Sequence, residues 1–167
     1  MSASFQADSL RASLHPLVAR QPLSAEGQAY QRFYGLDRVA CTTSWLGGFS
    51  CAGFEVVSQV WSPEQPVATL VLLHGFYDHM GLYRHVIDWA LHRQFAVISC
   101  DLPGHGLSSG ERASIDDFAV YQQVLDELFR QAAQLQLPQP WHLCGQSTGG
   151  AIAVDHLLSK GERSPVS

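Results

Sequence analysis

The pentapeptide GQSTG at residues 145–149 restricts the possible folds of this chain more than any other feature. The apolar run 140–144 leads into it, and residues 150–158 leave it with helical spacing. We therefore expect a strand, a sharp turn and a helix in that order. Glycines flank Ser147 because such a turn brings neighbouring backbones too close for side chains. The turn presents the serine hydroxyl to solvent.

Two further apolar runs upstream predict buried strands. Residues 67–74 and 95–100 are nearly continuous in apolar side chains, which is typical of parallel strands covered on both faces. A helix is predicted over 83–93, and a longer one begins at Ser114, with serine as its cap, and stops before Pro138. This alternation predicts an α/β fold, with a mostly parallel sheet flanked by helices and joined by right-handed crossovers.

The N-terminal quarter has a different pattern. Residues 42–49 and 54–61 read as two strands of a hairpin, connected by the four residues between them. Before them, residues 24–34 predict a short helix that opens on a serine cap and closes at Gly35.

The composition argues against several classes of protein. Hydrophobic residues make up 46% of the chain and charged residues 15%, as in globular proteins. A formal charge of −5, without a Lys/Arg-rich run, argues against a nucleic-acid partner. No apolar run approaches the ~18–20 residues of a transmembrane span, and the first twenty residues lack the pattern of a signal peptide. We therefore expect a cytoplasmic protein without a transmembrane segment.

The four cysteines carry no recognisable chemistry. Cys41, Cys51, Cys100 and Cys144 lack C-x-x-C or metal-ligand spacing. Cys100 and Cys144 each end an apolar run, where a buried free thiol is common. We expect no catalytic cysteine, no metal and no cofactor.

Three loops that follow the predicted buried strands gather the candidate chemistry. They are residues 74–76, 101–106 and 145–149, and loops at the carboxyl ends of parallel strands meet at one edge of a sheet. A serine nucleophile needs a base and donors for the oxyanion. The N–H of Thr148 lies at a helix start, where amides are unpaired, and Phe76 lies just after a strand, in position for a second N–H.

These loops resemble the motifs of the α/β-hydrolases, in the branch of monoacylglycerol lipases, lysophospholipases and serine aminopeptidases. The matching residues are HGFYDH at 74–79, DLPGHGLSSG at 101–110 and GQSTGG at 145–150. The resemblance covers about 42–158, and one small departure is Gln146, where the family often has histidine.

The resemblance implies a residue-by-residue assignment. Ser147 becomes the catalytic nucleophile of a nucleophile elbow, and the N–H groups of Phe76 and Thr148 form the oxyanion hole. It also implies an acyl-enzyme mechanism on small-molecule or lipid carboxylic esters, with acylglycerols or lysophospholipids as substrate class. The supporting loop residues are His74, Gly75, Gly145 and Gly149.

The triad partners expected after the serine are not evident. In this fold the order is Ser, acid, His, and Ser147 is followed only by the carboxylates Asp155 and Glu162 and by His156. Asp155 lies ~12 Å along the helix from Ser147, and its side chain points about 100° away from that of His156. We therefore expect a fold truncated after the nucleophile-elbow helix, with the triad acid and histidine outside this chain.

Three segments follow from this interpretation: a partly helical N-terminal extension (1–41), the N-terminal part of an α/β-hydrolase core (42–160) and a disordered tail (161–167). Two alternatives to an ester hydrolase stay open. One is a catalytically inactive fragment or interaction protein, whose open sheet edge pairs with a partner strand or with a second copy. The other is a peptidase, thioesterase or haloperoxidase on the same fold.

Overall fold

One mixed six-stranded sheet organises residues 4–167, which are the residues that the computed structural model describes. The first three residues of the N-terminal extension lie outside them. The strand order is β1-β2-β3-β5-β4-β6. The strands are β1 (His15–Pro16), β2 (Thr43–Cys51), β3 (Phe54–Ser62), β4 (Ala68–Leu73), β5 (Phe95–Cys100) and β6 (Trp141–Gly145).

The strand directions agree with the predicted α/β fold. Strand β4 pairs in parallel with both β5 and β6, while β3 is antiparallel to both β2 and β5. The short β1, which the sequence analysis missed, lies parallel to β2. Helices cover the sheet: α1 (Ala7–Ala12), α2 (Ala25–Tyr34), α3 (Arg84–Leu91), α4 (Ala119–Gln134) and α5 (Thr148–Lys160).

The sheet separates two hydrophobic cores, and β4 contributes to both because its side chains alternate between faces. Leu70 and Leu72 pack in the core with Ile87 of α3, together with side chains of α1 and α2. Val71 and Leu73 pack in the opposite core, with α4 and with Ile152 of α5. Burial on both faces explains why β4 and β5 read as continuous apolar runs.

The hairpin turn is shorter than predicted. Strand β2 continues to Cys51, which pairs with Phe54, so only Ala52 and Gly53 form the turn. Both have positive φ values, 50° and 83°, as in the tight turns that match the twist of a hairpin.

The prediction of a helix beginning at Ser114 was wrong, because α4 begins at Ala119 and has no side-chain cap. The Ala113 N–H instead donates to the Gly104 carbonyl over 2.9 Å, and the Ser114 N–H donates to Glu111. These bonds hold the segment against the loop after β5. In contrast, the predicted helix α2 is confirmed with both of its caps, since the Ser24 hydroxyl accepts from Gly27.

The expected burial of the cysteine thiols holds for Cys100 but was wrong for Cys144. Cys144 is exposed because β6 is the last strand of the sheet. Residues after α5 run past this edge, where Val166 forms a parallel bridge with Trp141 and the Ser167 N–H donates to the Trp141 carbonyl over 2.9 Å. The interpretation of 161–167 as a disordered tail concerns motion and stays a prediction.

Among the helices of residues 4–167, none has the length and apolar character needed to cross a bilayer.

The packing of α5 leads to a stability test. Ile152 is fully buried against the sheet, whereas Leu158 on the same helix is 82% exposed. We expect Ile152→Ala to lower the free energy of unfolding by about 2–5 kcal/mol, because it leaves a cavity in the core. Leu158→Ala, the matched control, should change it by at most about 0.5 kcal/mol. Urea unfolding measures both, and equal effects would contradict this packing.

Candidate active site

Ser147 lies between β6 and α5 in a backbone conformation that few non-glycine residues adopt. Its φ is 50° and its ψ is −112°, which costs on the order of 1–3 kcal/mol unless the surroundings hold it. A side chain at either flanking glycine would clash with the backbone. A Cβ at Gly145 would lie 2.3 Å from the Gly149 carbonyl carbon, and a Cβ at Gly149 would lie 2.4 Å from the Leu73 carbonyl oxygen. The turn leaves the side chain of Ser147 exposed.

Two backbone N–H groups near the serine remain available. Two amides of the elbow are engaged, because Gln146 donates to the Leu73 carbonyl and Gly149 donates to the Gln146 carbonyl. Within residues 4–167 the N–H groups of Thr148 and Phe76 donate to no protein acceptor. A free N–H at a helix start attracts negative charge. The arrangement can therefore accept an anionic oxygen.

The loop that carries Phe76 contacts the elbow directly. A Cβ at Gly75 would lie 2.9 Å from the side-chain oxygen of Gln146 and 3.4 Å from its backbone oxygen, so the two loops lie against each other. The structure therefore brings together all seven predicted site residues at the carboxyl ends of β4 and β6. Their catalytic roles remain predictions.

Tyr83 is a supporting residue that the sequence analysis missed, having read it only as part of a helix. Its hydroxyl accepts the Gly75 N–H over 2.9 Å. The same hydroxyl lies 2.9 Å from Asp78 Oδ2 and also contacts Gln146 Oε1, and its single proton serves one of these acceptors at a time. Partial burial raises the pKa of Tyr83 to about 12, and the neighbouring Asp78 carboxylate contributes to this rise. The hydroxyl thus keeps its proton and clamps the loop to the elbow.

His74 connects this loop to the loop after β5. Its Nδ1 lies 2.7 Å from the Gly75 carbonyl, which can only accept, so Nδ1 carries the proton. Its Nε2 accepts the Leu102 N–H over 2.8 Å. Burial lowers the pKa of His74 to about 4, so the ring is neutral at pH 7. Both nitrogens are engaged, and His74 has no free lone pair with which to act as a base.

Asp101 shapes the loop after β5 from inside. Its fully buried carboxyl accepts the N–H groups of Met80 and Leu107, each over 2.8 Å. Burial raises the pKa of Asp101 to about 6, although these two bonds oppose the rise. A Cβ at Gly106 would lie 2.1 Å from its Oδ2, so glycine is required there. Asp101 is thereby committed to backbone hydrogen bonds.

His156 lies in the core beside α4, whereas the sequence indicated only that it is no base for Ser147. It is 1% exposed, its ring packs 5.3 Å from that of Phe129 in α4, and its Nε2 lies 3.0 Å from Ser164 Oγ. Within the described part of the chain, no histidine or carboxylate forms a hydrogen bond with Ser147.

The Tyr83 clamp can be tested by amide exchange. Tyr83→Phe removes the acceptor of the Gly75 N–H, a bond worth about 1 kcal/mol. We expect the Gly75 amide to exchange with deuterium about fivefold faster, as measured by NMR. Tyr77→Phe is the matched control, because Tyr77 is 73% exposed on the same loop. An unchanged Gly75 rate in Tyr83→Phe would contradict the clamp.

The protonation of His74 gives a second test. The folded pKa lies below the unfolded value of about 6.5, so the neutral ring stabilises the fold above that pH. This contribution, about 3 kcal/mol, is lost as the pH falls from about 6.5 through 4. Ring ¹⁵N shifts should show one neutral tautomer, protonated at Nδ1, down to about pH 5. Protonation of His74 with its denatured-state pKa would overturn this account.

Comparison with known proteins identifies the family. Residues 64–165 match the family model described as serine aminopeptidase, S33. A monoacylglycerol lipase of Mycolicibacterium smegmatis is 33% identical over 128 residues, which cover 76% of this chain and 44% of that protein. Phospholipase YtpA of Bacillus subtilis is 31% identical over 105 residues, which cover 63% of this chain and 39% of that protein.

A solved structure agrees with these relatives. The structure of a lipase in its open form superposes with a TM-score of 0.64 at 26% identity, covering 72% of this chain and 42% of the lipase. The chain spans less than half the length of each of these proteins. The match over residues 64–165, together with the sheet order and the elbow, shows that this chain belongs to the serine aminopeptidase S33 family of α/β-hydrolases.

Proposed function

We propose that this chain carries the nucleophile and the oxyanion hole of a serine hydrolase that cleaves carboxylic esters. The observation that carries the proposal is the backbone at Ser147. Its positive φ, exposed hydroxyl and position at the start of α5 aim an alcohol nucleophile at the edge where the candidate oxyanion donors lie. Strain of this kind, held by backbone contacts at Gly145 and Gly149, is typical of working serine nucleophiles.

In the proposed reaction, Ser147 Oγ attacks the ester carbonyl and gives its proton to a base. The oxyanion of the tetrahedral intermediate accepts hydrogen bonds from the N–H groups of Phe76 and Thr148. The alcohol leaves with a proton, and an acyl-enzyme on Ser147 remains until water releases the acid. Each such donor contributes about 3–4 kcal/mol to the transition state in a related geometry.

We place the base outside residues 4–167. His74 is neutral with both nitrogens engaged, and His156 lies in the core beside Phe129. The length of the relatives supports this proposal, since each extends well beyond the region that matches. The chain by itself then has a nucleophile that is positioned but weakly activated.

Lipid esters are the proposed substrate class. Three apolar side chains are exposed on the loop beside the oxyanion donors, namely Phe76, Tyr77 and Leu82. Apolar side chains at such a position favour an acyl chain. The names of the relatives, a monoacylglycerol lipase and a phospholipase, support the same class.

A fluorophosphonate probe tests the nucleophile, because it phosphonylates an activated serine. We expect slow labelling of Ser147 in the 167-residue chain, located by peptide mass spectrometry, and no labelling of that peptide in Ser147→Ala. Added imidazole should accelerate the labelling several-fold, since it supplies the absent base. Ser164→Ala, which removes a hydroxyl beside His156, is the control and should label as the native chain does.

Two results would contradict the proposal. One is labelling that persists unchanged in Ser147→Ala, because the reactive group would then lie elsewhere. The other is a Ser147 that stays unlabelled both with and without imidazole, because the elbow would then lack a working oxyanion hole.

A second candidate function, strand pairing with another chain, is favoured by the edge of the sheet at β6. Beyond Trp141 this edge has no partner strand within residues 4–167, and α5, which follows β6, exposes three apolar side chains. They are Val154, Leu157 and Leu158. Open edges of this kind support association. Light scattering distinguishes a monomer from a self-associated form.

We also propose that the protein works in a reducing compartment such as the cytoplasm. Support comes from the cysteines, since Cys41, Cys51, Cys100 and Cys144 form no disulfide among themselves.

A further inference from the structure

Residues Met80–Tyr83 connect the candidate oxyanion loop to α3 and carry the Tyr83 clamp. They form a single 3-10 turn, the 80–83 turn, which ends where α3 begins. Phe76 and Tyr77, which lie between Gly75 and this turn, are both exposed, so their own side chains do little to hold the loop. The contacts that hold the turn therefore also hold Tyr83 and, through its hydroxyl, the Gly75 amide beside the candidate donor Phe76.

Helix α2 of the N-terminal extension packs against the start of this turn. The ring of Tyr34, the last residue of α2, meets the ring of His79 edge to face, with 4.7 Å between their centroids. There is no space for a side chain at Gly81, since a Cβ there would lie 2.7 Å from the Tyr30 hydroxyl oxygen and 3.0 Å from Tyr34 Cδ2. Two aromatic side chains of one helix thus enclose the backbone of the turn.

The same helix also contacts the chain just after the turn. Gly35 ends α2 with a φ of 70°, and a Cβ at this position would lie 3.2 Å from Arg84 Cδ. Arg84 directly follows Tyr83 in the chain. Beneath these contacts, Tyr30 and Met80 are buried in one hydrophobic core. The end of α2 therefore contacts the chain on both sides of Tyr83.

Asp101 supplies an independent anchor for the turn, because its carboxyl accepts the Met80 N–H over 2.8 Å. A single hydrogen bond still allows the turn to rotate about that point. The contacts of α2 at Gly81 and Arg84 remove this freedom. Close-packed interiors have few voids and transmit strain, so a displacement of α2 reaches the Tyr83 hydroxyl.

We propose that Tyr34 is a positioning residue for the candidate oxyanion hole. Its ring fixes the 80–83 turn, so that Tyr83 holds the Phe76 N–H at a constant position relative to Ser147. Helix α2, which lies outside the family match, then acts on the reaction through other residues and without touching the substrate. This role rests on the proposed hydrolase function, whereas the coupling of α2 to the oxyanion loop does not.

Amide exchange measured by NMR tests the coupling without any reaction. In Tyr34→Leu, which removes the ring, we expect the Gly75 amide to exchange about fivefold faster relative to the amide of Val71, which is buried in β4. A loss of global stability alone would speed the Val71 amide at least as much. Tyr34→Phe keeps the ring and should change this ratio by no more than about twofold. Phe33→Leu is the matched control, because Phe33 is an aromatic residue of the same helix and is 49% exposed.

The fluorophosphonate reaction then tests the positioning role. With imidazole present, we expect Ser147 to label about tenfold more slowly in Tyr34→Leu, because a misplacement of about 1 Å can cost about 10²-fold in rate. Tyr34→Phe and Phe33→Leu should label within about twofold of the native chain. Gly81→Ala, whose methyl group has no space between the two rings, should slow the reaction by disturbing the same contact from the other side. Circular dichroism checks that each variant folds.

Three results would overturn the proposal. They are equal effects of Tyr34→Leu and Phe33→Leu, a ratio of Gly75 to Val71 exchange that Tyr34→Leu leaves unchanged, and a native labelling rate in Tyr34→Leu despite faster exchange. A native chain in which Ser147 is never labelled would contradict the hydrolase function and with it the positioning role. The exchange ratio would still decide whether α2 holds the loop, so the two failures are distinguishable.

Discussion

The close approach of backbone to backbone at the carboxyl ends of β4 and β6 is the constraint on which the site depends. Gly149 of α5 lies against the Leu73 and His74 carbonyls at the end of β4, with no space for a Cβ. This contact fixes where α5 begins relative to the sheet. Ser147 joins β6 to α5 with a positive φ, and its side chain is exposed. The close backbone contacts at Gly149 thus help to hold Ser147 in its strained conformation.

Buried polar groups extend this constraint to the neighbouring loops. His74, Tyr83 and Asp101 each hydrogen-bond to backbone amides or carbonyls of loops at the same edge of the sheet. Their environment favours neutral forms: burial lowers the pKa of His74 and raises those of Tyr83 and Asp101. His74 and Tyr83 are therefore neutral at pH 7 and hold their loops without adding charge next to a developing oxyanion. The edge is therefore preorganised while most of its titratable groups are committed to structure.

The sequence-based predictions were accurate where the signal lies within the segment itself and were wrong where contacts with distant residues decide the structure. Strand β5 at 95–100 and helix α2 agree with their predicted limits, because an apolar run or a pair of caps lies within the segment itself. The start of α4 was wrong because Ala113 and Ser114 hydrogen-bond outside the helix, one of them to the distant Gly104. The exposure of Cys144 was likewise missed, since an apolar run gives no information about which strand lies at an edge.

The sequence by itself determined the strand–turn–helix at Ser147, the parallel strands before it and the three loops that carry the family motifs, because glycine placement and apolar periodicity act over a few residues. Only the tertiary structure decided that Tyr83 clamps the oxyanion loop, that His156 lies in the core, and that Tyr34 of α2 packs on His79. These relations join residues far apart in the chain. They depend on how the sheet brings its loops together, which no local pattern encodes.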